Sequence, residues 1–127
     1  MVGSSAITCH PWVIPVAACD LRGIPLEQSN LGRSIGKQGL MAPGEQITSL
    51  GSDGKFRAFG GTSAAVPFVT GAIALVWSEF LSVGAAQIRS IITQGGLERR
   101  RAITPPLLNA WAAYQRASIS NSGVIAP

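Results

Sequence analysis

The chain is short of the residues that carry most protein chemistry, with one histidine, two cysteines, one tyrosine and six acidic side chains among 127 residues. A lone histidine, His10, with Cys9 and Cys19 does not make up the ligand set of a zinc site, so no metal is expected. No cofactor is expected either. The two cysteines flank a predicted strand whose extended length keeps them too far apart for a bridge, and they read as free thiols in a reducing compartment. Acidic residues are outnumbered by ten Lys and Arg, for a net charge of +4. The one basic cluster, Arg99-Arg100-Arg101, has no aromatic residues interleaved and reads as a solvated loop, so no nucleic-acid partner is expected. No apolar run is long enough to cross a bilayer, and Met1 to Ser5 lacks a basic start followed by an apolar core. No membrane partner is therefore expected, and a cytoplasmic location is.

Charge as a whole is scarce, at 13% of residues against 46% hydrophobic. Such a chain can form one modest domain, with more apolar surface than its charges can cover. Some faces are expected to pack against residues supplied from elsewhere and to be exposed as apolar patches without them.

What the chain does have is a glycine turn running straight into an apolar helix, Gly60-Gly61-Thr62-Ser63-Ala64-Ala65-Val66-Pro67-Phe68-Val69-Thr70-Gly71. The glycine pair allows a tight bend and a close approach by a substrate. From Ala64 to Trp77 nearly every residue is apolar on every face, which predicts a helix inside a sizeable core. Ser63 falls in its first turn, where unpaired N–H groups and the positive end of the helix dipole favour charge developing on an attacked carbonyl oxygen. Ser63 is thus the candidate nucleophile, and Gly61 and Thr62 are the candidate substrate-binding residues. The plainer alternative is that Thr62 or Ser63 merely caps a core helix.

The segment from about Pro11 to Tyr114 resembles the last third of a subtilisin-like serine peptidase. Gly61 to Gly71 is similar to that family's serine signature, with Ala64 for a common methionine and Phe68 for a common non-catalytic histidine. His10 to Ala18 resembles the strand Tyr-Pro-x-Val-Ile-x-Val-Gly-Ala, and Ser29-Asn30-Leu31-Gly32 the Ser-x-x-Gly that follows it. Leu40-Met41-Ala42-Pro43-Gly44 is similar to Val-Met-Ala-Pro-Gly, and Pro106-Leu107-Leu108-Asn109-Ala110 to the closing helix. With Phe68 and the ending Pro105 to Gln115, the likeness is greatest to the subtilases that mature cyanobactin peptides.

The resemblance implies an α/β, subtilisin-like three-layer fold with a parallel sheet, of which residues 1–117 form the C-terminal part and 118–127 a tail without fixed structure. It implies serine endopeptidase chemistry on a peptide or protein substrate. It also implies a deficit, because subtilisin runs in the order Asp, His, Ser and only the serine motif is present. His10 stands in the strand motif and reads as a structural or rim residue. Asp20 reads as closing a strand, and Asp53-Gly54 as a hairpin turn. The family's Gly-Asn-x-Gly, whose side-chain amide serves the oxyanion hole, has no counterpart. Removing that amide costs roughly 10²–10³ in turnover. The chain by itself is expected to be close to inactive unless a missing N-terminal half or an oligomer partner completes it; the alternative is a truncated remnant or a binding or assembly module. Subtilases often bind calcium, but an acidic position common before the Met-Ala-Pro-Gly motif is Gly39 here, so no calcium site carries over.

The pattern along the chain predicts a strand over 12–19, a polar connection over 21–39, and a short buried strand at Leu40-Met41-Ala42. A hairpin over 45–59 turns at Gly51 to Gly54 and leads to the helix that ends near Phe80. Ser82 is placed to cap the next helix, with Ile88, Ile91 and Ile92 inward and Gly95-Gly96 as its stop. Pro105 and Pro106 are expected to open a final helix, with Leu108, Trp111 and Gln115 on one face.

Overall fold

The computed structural model describes residues 5–95 and 103–123. At its centre lies a parallel pair, β1 (Val16–Cys19) and β2 (Leu40–Pro43), in the register Val16 with Leu40 through Cys19 with Pro43. Alternation sends successive side chains to opposite faces. Ala17, Cys19 and Met41 meet Ile35 on one face, whereas Ala18, Leu40 and Ala42 join the main core on the other. Helix layers thus cover both faces of the pair, as parallel strands require.

The first strand is shorter than the expected 12–19. The Val13 N–H is used in a turn onto the His10 carbonyl, and the ladder starts only where Leu40 donates to the Pro15 carbonyl. Two helices in the N-terminal third escape the sequence pattern. The first, α1 (Ala6–Cys9), carries a reciprocal cap between Ser5 and Thr8. The second, α2 (Arg33–Gln38), lies within the polar connection and buries Ile35 and Gly36. Six residues with a central glycine carry no readable helical period, so tertiary burial of Ile35 decides that helix.

After β2 the chain forms an antiparallel hairpin, β3 (Ile47–Leu50) and β4 (Phe56–Phe59), as expected. Gly54 takes φ +73° in its turn, and the Asp53 carboxylate accepts hydrogen bonds from the Lys55 N–H and the Arg57 guanidinium. Helix α3 (Thr62–Glu79) follows and buries Ala65, Val69, Ala72 and Val76, spaced four, three and four residues apart. Only that stripe is covered. Leu75 is 75% exposed, and Val66 and Phe68 are also open to solvent, so the expected all-round burial is not met within this chain and the expected apolar patches are present.

Helix α4 (Ala85–Thr93) buries Ile88, Ile91 and Ile92 as its period requires, and Gly95 follows with φ +63°. Its N-cap is Gly84, with no side-chain cap. Ser82 instead donates its hydroxyl hydrogen bond to Asn121 on the last helix. That helix, α5 (Ala110–Ser122), starts later than Pro105. Pro106 to Leu108 is extended and runs beside β2: Met41 N–H donates to the Pro106 carbonyl and Leu108 N–H to that of Met41. Asn109 then caps α5 through its side chain onto the Ala112 N–H.

Ala113 and Ala117 form the buried stripe of α5, while Trp111 is exposed and stacks on Tyr114 at 5.5 Å. The helix continues through Ser118 to Ser122, where a tail was expected. The Arg99-Arg100-Arg101 cluster and Gly96 lie outside the described residues. Among the described residues, no helix is long and apolar enough to cross a membrane.

Candidate active site

The segment that presents Ser63 begins at the end of β2. Gly44 follows Pro43 and donates its N–H to the Cys19 carbonyl at the end of β1. Its own carbonyl accepts the Gly61 N–H at 2.7 Å. Gly61 is the N-cap of α3 with φ +82° and ψ −173°, a region of backbone space open to glycine and strained for any residue with a Cβ. The Gly61 carbonyl then accepts from both Ala64 and Ala65 N–H groups, starting the helix.

No side chain caps this terminus. Neither Thr62 nor Ser63 therefore acts as the helix cap. Ser63 is exposed, and neither its hydroxyl nor its N–H meets a partner among the described residues. The positive end of an 18-residue helix thus lies beside an uncommitted hydroxyl. Pro67 sits further into the helix than its first turn, and its missing N–H removes the bond that the Ser63 carbonyl would otherwise accept.

Ser63 borders an open cavity of about 540 Å³ between the hairpin and α3. Its walls are mainly apolar, with Ile47 and Leu50 from β3, Phe59 from β4, and Ala64, Pro67 and Phe68 from α3. Gly61 and Thr62 adjoin Ser63 in the chain but do not line this cavity, and among the described residues its lining holds no histidine and no carboxylate. The cavity wall from β3 is the part of the site that sequence reasoning missed. A hairpin was legible, but nothing in its alternation said which helix it would face.

His10, Asp20 and Asp53 are engaged locally. His10 follows α1, where its Nδ1 accepts the Trp12 N–H and its carbonyl accepts the Gln38 amide, consistent with a structural residue. The Asp20 carboxylate receives the Ile24 N–H and both the side chain and N–H of Arg22, which hold it below the ordinary aspartate value. Asp53 is held low in the same direction by the Arg57 guanidinium and the Lys55 N–H. Burial, and then the charge of Asp20, push the Cys19 thiol up, while Cys9 is exposed; both are free.

Among the described residues no three His, Cys, Asp or Glu side chains gather as metal ligands. At Gly39 a Cβ would lie 2.6 Å from the carbonyl oxygens of both Ile35 and Pro15, so a carboxylate does not fit in that place.

A parallel strand pair between helix layers, with a serine exposed at the head of the central helix, defines a subtilisin-like α/β serine-protease fold. Residues 4–102 match the subtilase family, and the chain belongs to it. It is similar to the self-cleaved protease domain of PatA, with 32% identity, a TM-score of 0.78, and 89% of this chain covering 44% of that one. It is similar to the prenylagaramide maturation protease PagA, at 27% identity and TM-score 0.75, covering 88% of this chain and 44% of that one. An intracellular serine protease of Paenibacillus polymyxa is 41% identical over 68 residues, which are 54% of this chain and 20% of that protein. The chain spans less than half the length of these relatives.

Proposed function

We propose that the chain is the nucleophile-bearing segment of a subtilisin-like endopeptidase. Ser63 Oγ attacks the carbonyl carbon of a peptide bond, and its own N–H helps hold the oxyanion. Gly61 and Thr62 border the peptide backbone. The base that takes the Ser63 proton and returns it to the leaving amine is a histidine other than His10, oriented by a carboxylate other than Asp20 or Asp53. The observation that carries this reading is the exposed, uncommitted Ser63 at an uncapped helix terminus beside an open cavity. Two of the similar structures are described as maturation proteases for patellamide and prenylagaramide, which supports a cyanobactin-type precursor peptide as substrate.

Among the described residues no base or orienting carboxylate lines the cavity with the serine, which supports a chain that is inactive by itself. The same observation favours, as the second reading, a non-catalytic remnant or assembly module. A fluorophosphonate probe, which requires an activated serine, separates the readings. The isolated chain is expected to remain unlabelled. A chimera in which residues 5–123 replace the matching part of the PatA protease domain is expected to label, and its Ser63→Ala variant is not. Labelling of the isolated chain overturns its inactivity, and a folded but unlabelled chimera overturns the nucleophile assignment in favour of the second reading.

A further inference from the structure

We propose that Gly44, two elements away from the serine, is the positioning residue that sets where Ser63 stands; this rests on reading Ser63 as the nucleophile. Gly44 joins the parallel sheet to the nucleophile turn. Its N–H is tied to the end of β1 through the Cys19 carbonyl at 2.9 Å, and its carbonyl holds the Gly61 N–H at 2.7 Å. Its open side is occupied on both flanks. A Cβ there would lie 2.6 Å from the Ala18 Cβ and 2.6 Å from the Gly61 carbonyl oxygen, closer than side chains tolerate.

The Gly61 oxygen is the acceptor for Ala64 and Ala65, so it fixes the direction of the first turn of α3. A displacement of that oxygen rotates the turn carrying Ser63. Gly60 is the natural control: a Cβ there meets only the Gly44 oxygen, at 3.6 Å, an ordinary contact. One methyl group added at either glycine therefore has opposite consequences. At Gly44 it must push the helix cap or the strand, and at Gly60 it makes only an ordinary van der Waals contact.

The test is nuclear magnetic resonance on the isotope-labelled 127-residue chain, which requires no catalysis by Ser63. Gly44→Ala is expected to shift the amide resonances of Gly61 through Ala65 and the Ser63 Cβ, and to abolish exchange protection of the Gly61 N–H. Resonances of α4 and α5 are expected to stay in place, which a general loosening of the fold would not allow. Gly60→Ala is expected to leave Ser63 where it is. Should Gly44→Ala not fold, the pair Ala18→Gly with Gly44→Ala removes the clash with the strand and keeps the one with Gly61. That double variant is expected to retain the Ser63 shift relative to Ala18→Gly alone. Coincident Ser63 resonances in a folded Gly44→Ala chain, or in the folded double variant and its Ala18→Gly reference, overturn the proposal. Failure of the nucleophile reading itself appears elsewhere, in the labelling of the chimera.

Discussion

The described residues hold two small sheets that differ in almost every respect except length. In the parallel pair, every residue from Ala17 to Cys19 and from Leu40 to Ala42 is buried, with side chains divided between two clusters. In the antiparallel hairpin, every residue of β4 is exposed, and β3 is scarcely better covered. The parallel strands need helices on both faces because their crossover connections place them there. The hairpin closes on itself through Gly51 to Gly54 and the Asp53–Arg57 ion pair at 2.8 Å, and a lone hairpin is at best marginally stable in water.

The difference matters because Ser63 lies between them. Its helix is anchored in the buried pair through Gly44 and Gly61, while one wall of its cavity is the exposed hairpin. Helix α3 repeats the contrast on its own circumference, with a covered stripe of Ala65, Val69, Ala72 and Val76 and an open side bearing Leu75. Position is thus held by one sheet, and the surroundings are left to the other.

The contrast is most sharply tested by truncating one leucine in each sheet. Leu40→Ala, in a fully buried side chain, is expected to cost about 2–5 kcal/mol of stability in urea or thermal unfolding. Leu50→Ala, at a side chain 63% exposed, should stay within about 0.5 kcal/mol. Equal losses would mean the hairpin is as integral to the fold as the parallel pair.

A smaller effect is expected at Ser29, whose buried hydroxyl accepts the Ala18 N–H and donates to the Ala18 carbonyl at 2.9 Å each. Ser29→Ala leaves the Ala18 N–H unsatisfied, while the Ala18 carbonyl keeps its bond from the Leu26 N–H, and should lower stability by about 1–3 kcal/mol. Ser63→Ala is smaller again. With no capping bond to lose, it should change the unfolding free energy by less than about 0.5 kcal/mol. A loss near the ~1 kcal/mol typical of a removed cap would restore the capping role.

The smallest effect is acid loosening of the hairpin. Asp53 has its carboxyl held low by Arg57, so the unfolded chain takes up the proton first. The stability this supplies is complete above the ordinary aspartate value near ~3.9 and is lost as pH falls through the lowered folded value. Amide resonances of Lys55 and Arg57 should follow that titration, and in Asp53→Asn they should not.

Much of this was legible along the chain where local chemistry was unambiguous. The Gly60-Gly61 turn, the apolar run behind Ser63, the Asp53-Gly54 hairpin and the isoleucine spacing of α4 each predicted an element that is present. The misses share one cause. Helix α2 and the strand-like path of Pro106 to Leu108 have weak local signals and exist because Ile35 and Met41 need neighbours across the sheet. Ser82 was expected to cap α4, yet its hydroxyl goes to Asn121 on α5 and α4 starts at Gly84 with no side-chain cap.

A serine after a glycine turn at the head of an apolar helix was readable from adjacent residues, because turn geometry and helix propensity are local. The sequence also determined that apolar surface would exceed what this chain can cover, since that is a matter of composition. Folding alone settles that the Gly44 carbonyl meets the Gly61 N–H, that the hairpin walls the cavity, and that His10, Asp20 and Asp53 are engaged elsewhere. Those are contacts between residues far apart in the chain, and local propensity carries no information about which distant backbone will be pressed against which.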